Sequence, residues 1–228
     1  MDLIDTAFAK GQSALNEYES KQFLAGFGIP VTREALAPDA KAAARAASEM
    51  GFPVVLKAAG ARLFHKTEVE GVSLNLRTDR DVEREGERLL AIPGCEALLV
   101  QEMVKGGREL VCGLTRDPHF GPCVMFGIGG ILTEILRDTS FRLAPLTPWD
   151  ARDMLMEIRG RKILEPFRGE AAVNLDVLSR TLVALGEIGL NHDAVAEVDI
   201  NPLKIRPDGT PVAVDALVVL KSENYPER

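Results

Sequence analysis

With 228 residues, 46% of them hydrophobic, the chain is long enough to bury one large core or two smaller ones joined by a hinge. Its net charge of −7 and the lack of a long Lys/Arg run argue against a nucleic-acid partner, and no segment approaches the roughly 20 apolar residues that span a bilayer, so no membrane partner is expected. Cys95, Cys112 and Cys123, spaced 17 and 11 apart, fit neither a disulfide framework nor a CxxC metal site; with a start, MDLIDTAFAK, that lacks the order of a secretory signal, they predict reduced thiols in the cytoplasm.

Residues 1–14 carry little periodicity and predict an extended or weakly helical arm. Asn16, with Glu19 three residues later, has the pattern of a capping box and opens a helix that should end near Gly26 to Gly28, ahead of Pro30. Asp39 caps the alanine-rich stretch AKAAARAASEM, which Gly51 and Pro53 end. PVVLKA then reads as a buried strand that delivers Lys57 at its end, and the loop GARLFHKTEVEGV, residues 60–72, follows with His65. VSLNLR predicts a strand, Asp81 to Ala91 a charged helix, and ALLVQEMV a second buried strand.

KGG at 105–107 is a candidate hinge, because adjacent glycines permit backbone angles that other residues resist. Beyond it, RELVCGLTRD alternates like a strand, DPHFGP turns, CVMFG is another strand, and GIGG at 127–130 makes a tight loop. Thr147, Pro148 and Asp150 open a helix by cap, N1 proline and first-turn acid, and Asn174 opens another that runs to about Gly189. AVAEVDINPLKI, a turn at PDGT and PVAVDALVVL close the chain as a hairpin. With no internal repeat, the organisation is an arm at 1–14, α+β lobes at 15–104 and 105–222, and a tail at 223–228.

Several residues could carry chemistry. Lys57, where a strand meets a glycine-containing loop, either contacts phosphate as a point charge or snorkels to water. Glu102 and Glu109 bracket the hinge and either accept ribose hydroxyls or are solvated acids, while backbone at Met103 and Val104 offers the donor and acceptor an adenine edge needs. Strand alternation sends Glu197, Asp199 and Asn201 to one face, an oxygen-rich surface suited to Mg²⁺ or simply to water. Asp215 shares that face only with the right register. A two-residue turn at Asp208-Gly209 would pair Asn201 with Ala216 and turn Asp215 away. A three-residue loop over Asp208, Gly209 and Thr210 would pair Leu203 with Asp215, so metal binding predicts an odd loop or a bulge at one of the prolines. GIGG frees backbone amides for an anion, with Arg142 a short way on, or is a plain turn. His65 is a solvated loop residue or a nucleophile; no second His or Cys stands at a ligand spacing to make it a metal site.

Taken together, VVLKAAG, FHKTEVEGV, QEMVKGGREL, DPHFGPCVMFGIGGILTEILRDTSFRLAPL and EVDINPL followed by VDA resemble the ATP-grasp β subunits of ADP-forming acyl-CoA synthetases, in order, over about residues 15–220. The resemblance implies an α+β ATP-grasp fold whose two lobes hold ATP or ADP between them. It puts Lys57 on the α- and β-phosphates, the strand Gln101, Glu102, Met103 and Val104 on adenine, and Glu109 on ribose. Asn201 and Asp215 match the Mg²⁺ ligands of the related succinyl-CoA synthetases, and Asp199 fills the acidic place two residues before the Asn-Pro-Leu pattern. His65 matches the histidine of the family's HK motif, which is transiently phosphorylated. CoA binding and acyl-phosphate formation belong to an α subunit, so the resemblance also implies a partner and an α2β2 hetero-oligomer. One departure stands out: the family loop commonly ends in two glycines, and here Glu70 precedes Gly71.

Overall fold

The computed structural model describes residues 3–60, 70–130 and 138–221. The chain divides into two compact units: Asn16–Tyr18 with Thr32–Val104, and Met1–Leu15, Glu19–Val31 and Lys105–Arg228. Among the described residues no helix is long and apolar enough to cross a membrane.

The smaller unit is an antiparallel four-stranded sheet in the order β2–β5–β3–β4, built from β2 (Glu34–Ala37), β3 (Val54–Ala59), β4 (Val72–Leu76) and β5 (Ala97–Glu102). Helices α3 (Ala40–Met50) and α4 (Asp79–Leu90) cover it. Asp39 caps α3 by accepting the amide of Ala42 at 2.7 Å, as its position before the alanine run predicts. The buried stripe of α3 is Ala40, Ala43, Ala44 and Ala47, one face at helical spacing. Small side chains let α4 approach closely: a Cβ on Gly86 would stand 3.0 Å from that of Ala40.

The larger unit holds a seven-stranded sheet in the order β1–β11–β9–β6–β7–β8, with β10 also on β9. Its strands are β1 (Ala14–Leu15), β6 (Glu109–Asp117), β7 (Gly121–Ile128), β8 (Thr139–Leu143), β9 (Val195–Ile205), β10 (Pro211–Ala213) and β11 (Ala216–Leu220), all paired antiparallel. Helix α5 (Pro148–Glu157) starts in the capping box that Thr147 and Asp150 predict, and α6 (Leu175–Asn191) starts at the Asn174 cap. Arg116 closes α6, donating to the carbonyls of Gly189 and His192 and, beyond the helix, of Val195 at 2.7–2.9 Å. Two amino-terminal helices, α1 (Leu3–Ala9) and α2 (Glu17–Gly26), bury Ile4, Ala7, Phe23 and Leu24 in this core. Within the predicted arm, Leu3–Ala9 forms a packed helix whose Ile4 and Ala7, three apart on one face, are buried.

The strand β3 ends at Ala59 and β4 begins at Val72, paired so that Lys57 faces Val72. Glu70, on the return into β4, has φ +51°, a left-handed conformation that favours glycine. That is a physical reason for the paired glycine of the family's loop at this position. Arg88 of α4 holds the strained residue by donating to its carbonyl at 3.1 Å. Glu70→Gly is expected to raise stability by about 0.5 kcal/mol and Glu70→Val to lower it by about 1 kcal/mol. Urea denaturation of the three proteins checks the ranking, and a valine variant as stable as the parent contradicts it.

Candidate functional site

In the smaller unit Lys57 does not reach water. Its ammonium donates to Glu17 Oε1 at 2.5 Å, with the two side chains only 6% and 4% exposed. Glu17 opens α2, so the sequence signal for this partner was the start of a helix 40 residues earlier, which carries no hint of the pairing. Removing one member of a buried pair typically costs about 3–5 kcal/mol. Gln101 and Glu102 are also buried. The Glu102 carboxylate turns onto Arg33, accepting its backbone N–H at 2.9 Å and pairing with its guanidinium at 3.5 Å. Met103 and Val104 follow the last paired residue of β5 and leave the ladder.

In the larger unit the hairpin register decides the carboxylate site. Ile205 pairs with Pro211, Leu203 with Ala213 and Ile200 with Ala216, and the Arg206 amide donates to Thr210. The closing loop is thus odd, three residues over Pro207, Asp208 and Gly209, one position earlier than the predicted Asp208 to Thr210. Asp208 ties it by accepting the Thr210 amide at 2.9 Å, and Gly209 adopts φ +87° where a Cβ would meet the Ala172 carbonyl at 2.0 Å. Asn201 now faces Asp215 directly, its amide donating to the Asp215 carbonyl at 3.2 Å.

A β-bulge occurs at the same place. Leu110 pairs with Leu203 and Cys112 with Ile200, so two residues, Asn201 and Pro202, oppose the single Val111. The strand turns over here: Val198 and Ile200 are buried before it, and Leu203 and Ile205 after it. The odd loop alone brings Asp215 to the face of Asp199 and Asn201, because the hairpin register runs unbroken from Ile205–Pro211 to Ile200–Ala216; the bulge lies in the ladder with β6.

The result is a cluster of like charge. Burial, and then the negative charges of Glu197 and Asp215, push the Asp199 carboxyl up to about 6. Asp199 and Asp215 are half-buried and Asn201 is exposed. Among the described residues no group of three His, Cys, Asp or Glu side chains converges to hold a metal unaided. The donor set fits Mg²⁺ nonetheless, because that ion takes one or two carboxylates and fills its octahedron with water and phosphate oxygens. The charge repulsion at Asp199 is what a cation there would relieve.

The remaining expectations fare unevenly. Glu109 is not a free acid: Lys204, opposite it on β9, approaches its carboxylate to 3.2 Å. The GIGG loop lies flat on β6, where a Cβ at Gly129 would meet the Leu110 carbonyl at 2.6 Å, and the Gly129 amide donates to Glu109 O at 2.9 Å. Close packing accounts for this glycine. Arg142 pairs with Glu157 on α5, and that hydrogen-bonded carboxylate pushes the guanidinium further up. His65 lies outside the described residues.

Residues 6–220 match the ATP-grasp domain family. The chain is 38% identical to the acetate–CoA ligase [ADP-forming] I subunit beta of Pyrococcus furiosus, over 96% of this chain and 97% of that one. It is also 38% identical to acetate–CoA ligase [ADP-forming] I of Archaeoglobus fulgidus, a longer protein of which 31% is matched by 90% of this chain. Its backbone superposes, with a TM-score of 0.84 and 40% identity over 96% of this chain and 99% of that one, on a dinucleotide-forming acetyl-coenzyme A synthetase 1 of Ca. Korarchaeum cryptofilum. That structure holds coenzyme A and Mg-AMPPCP, with its phosphohistidine segment pointing towards the nucleotide binding site. The fold is that of an ATP-grasp enzyme. Within that fold, the chain belongs to the family of ADP-forming acetate–CoA ligase β subunits.

The raised Asp199 carboxyl gives stability a pH signature. Its folded pKa of about 6 lies above the ordinary value, so the protonated acid favours the folded state, and that contribution disappears as pH rises through 6. Asp199→Asn is expected to match the parent near pH 4 and to exceed it by about 1–2 kcal/mol at about pH 8 without divalent cations. Urea denaturation in EDTA at both pH values checks this; equal stability at the higher pH counts against the charge cluster.

Proposed function

We propose that this chain is the nucleotide-binding subunit of an ADP-forming acyl-CoA synthetase and passes a phosphoryl group reversibly between ATP/ADP and His65. The observation that carries the reading is the cross-strand pairing of Asn201 with Asp215 beside Asp199, an oxygen donor set for a nucleotide-bound cation. The strand delivering Lys57 also supports it, since three N–H donors per ammonium let it serve Glu17 and a phosphate oxygen together. Gln101 to Val104 would take adenine through backbone groups at the end of β5, and Glu109 ribose in competition with Lys204.

In the forward direction a ring nitrogen of neutral His65 donates its lone pair to Pγ of ATP. The N–P bond forms as the bond from Pγ to the β–γ bridging oxygen breaks, and ADP leaves with that electron pair. Mg²⁺, when bound, neutralises charge on the β- and γ-phosphate oxygens. Lys57 supplies a fixed positive charge, and Asn201 and Asp215 hold their carbonyl and carboxylate oxygens in register across the hairpin. The reverse reaction regenerates ATP from phospho-His65 and ADP.

The relatives' name, subunit beta, points to a separate α subunit; we take that partner to bind CoA and the assembly to be α2β2 in the cytoplasm. Three cysteines that are free thiols accord with a reducing compartment. Incubation with Mg²⁺ and ATP labelled in its γ-phosphate is expected to give acid-labile, base-stable label on the chain. Label should vanish in His65→Asn and form at least about tenfold more slowly in Asp215→Asn. Persistent label in His65→Asn, or none in the parent with and without the α subunit, would sink the proposal.

A further inference from the structure

Lys21, on α2, is completely buried, the largest fully buried side chain among the described residues. Lysine is seldom buried in this way, and sequestering an ammonium costs several kcal/mol unless the structure uses it. Its Nζ donates to the carbonyl of Val214 at 3.2 Å. That carbonyl stands at the break in the hairpin ladder. Val214 donates its own amide to Pro202 O at 3.1 Å, and in a regular antiparallel pair the facing residue would return a donor. Pro202 has no N–H to return. Lys21 therefore supplies a donor where the proline cannot.

The two residues flanking this contact are the candidate metal ligands. Asn201 precedes Pro202, Asp215 follows Val214, and the Asn201 amide donates to the Asp215 carbonyl at 3.2 Å. We infer that Lys21 is a positioning residue for the cation site: by fixing Val214 it sets the distance and direction between the Asn201 and Asp215 side chains. This rests on the reading of those two residues as metal ligands. Groups that orient ligands from behind are worth about 10–100-fold in metal affinity.

The test is Mn²⁺ binding to the purified chain with ADP, followed by electron paramagnetic resonance, for the parent, Lys21→Met, Lys21→Arg and Asp215→Asn, each with its melting temperature. Lys21→Met is expected to weaken Mn²⁺ binding by about tenfold or more, and Lys21→Arg, which keeps a charged donor, to remain within about threefold of the parent. A lower melting temperature in Lys21→Met with unchanged Mn²⁺ affinity, while Asp215→Asn loses affinity, would overturn the role of Lys21 and leave the metal reading standing. Unchanged affinity in Asp215→Asn would overturn the metal reading and the inference with it. If Lys21→Met does not fold, Lys21→Gln and Lys21→Arg replace it, and parental affinity in the glutamine variant overturns the inference.

Discussion

Pro202 sits inside a strand that is paired on both sides, and a strand cannot carry a proline there without breaking its ladder. The larger unit depends on how that break is resolved. Side chains alternate along β9, so in an unbroken strand Asn201, Leu203 and Ile205 would share one side. Either an amide would enter the core or two aliphatic side chains would leave it. The bulge opposite Val111 removes the conflict by adding one residue where the strand turns over. It leaves Asn201 and Asp215 as the last facing pair on the open side and sends Leu203 and Ala213 into the core. The core pattern and the carboxylate site are two consequences of one irregularity.

Cations inside the larger unit follow a common rule. Arg108 donates to the carbonyls of Ile163, Glu165 and Ala171 as well as to Glu170, Arg116 to those of Gly189, His192 and Val195, and Lys21 to that of Val214. Each fastens backbone oxygens at helix ends, loops or a ladder break, where regular structure leaves acceptors over. Asp199 behaves oppositely, since burial and neighbouring negative charge oppose its ionisation. Buried positive charge thus organises the chain, and clustered negative charge is concentrated where a ligand can neutralise it.

Helix starts were legible because a cap is a local event: Asp39, Thr147 and Asn174 each bond an amide three residues on. The long buried strands were legible for the same kind of reason, as apolar runs between breakers. β1, β2 and β8 went unassigned because two to five residues give too little periodicity, and their pairing comes from distant strands. The site was half legible. Alternation grouped Asp199 with Asn201 and the parity argument foresaw an odd loop or a bulge, but the loop's position depended on Pro207 and Gly209 instead of the Asp-Gly pair alone. Partners of Lys57, Glu109 and Arg142 were invisible, because ion pairs between remote elements leave no trace in local spacing.

The connection between β3 and β4 is fixed at both of its ends. At one anchor β3 delivers Lys57 opposite Val72. At the other anchor, Arg88 and the left-handed Glu70 fix the direction in which the chain returns. A glycine there would remove the strain and widen the choice of return angles together, so the glutamate trades latitude at the base of the segment for a defined re-entry into β4.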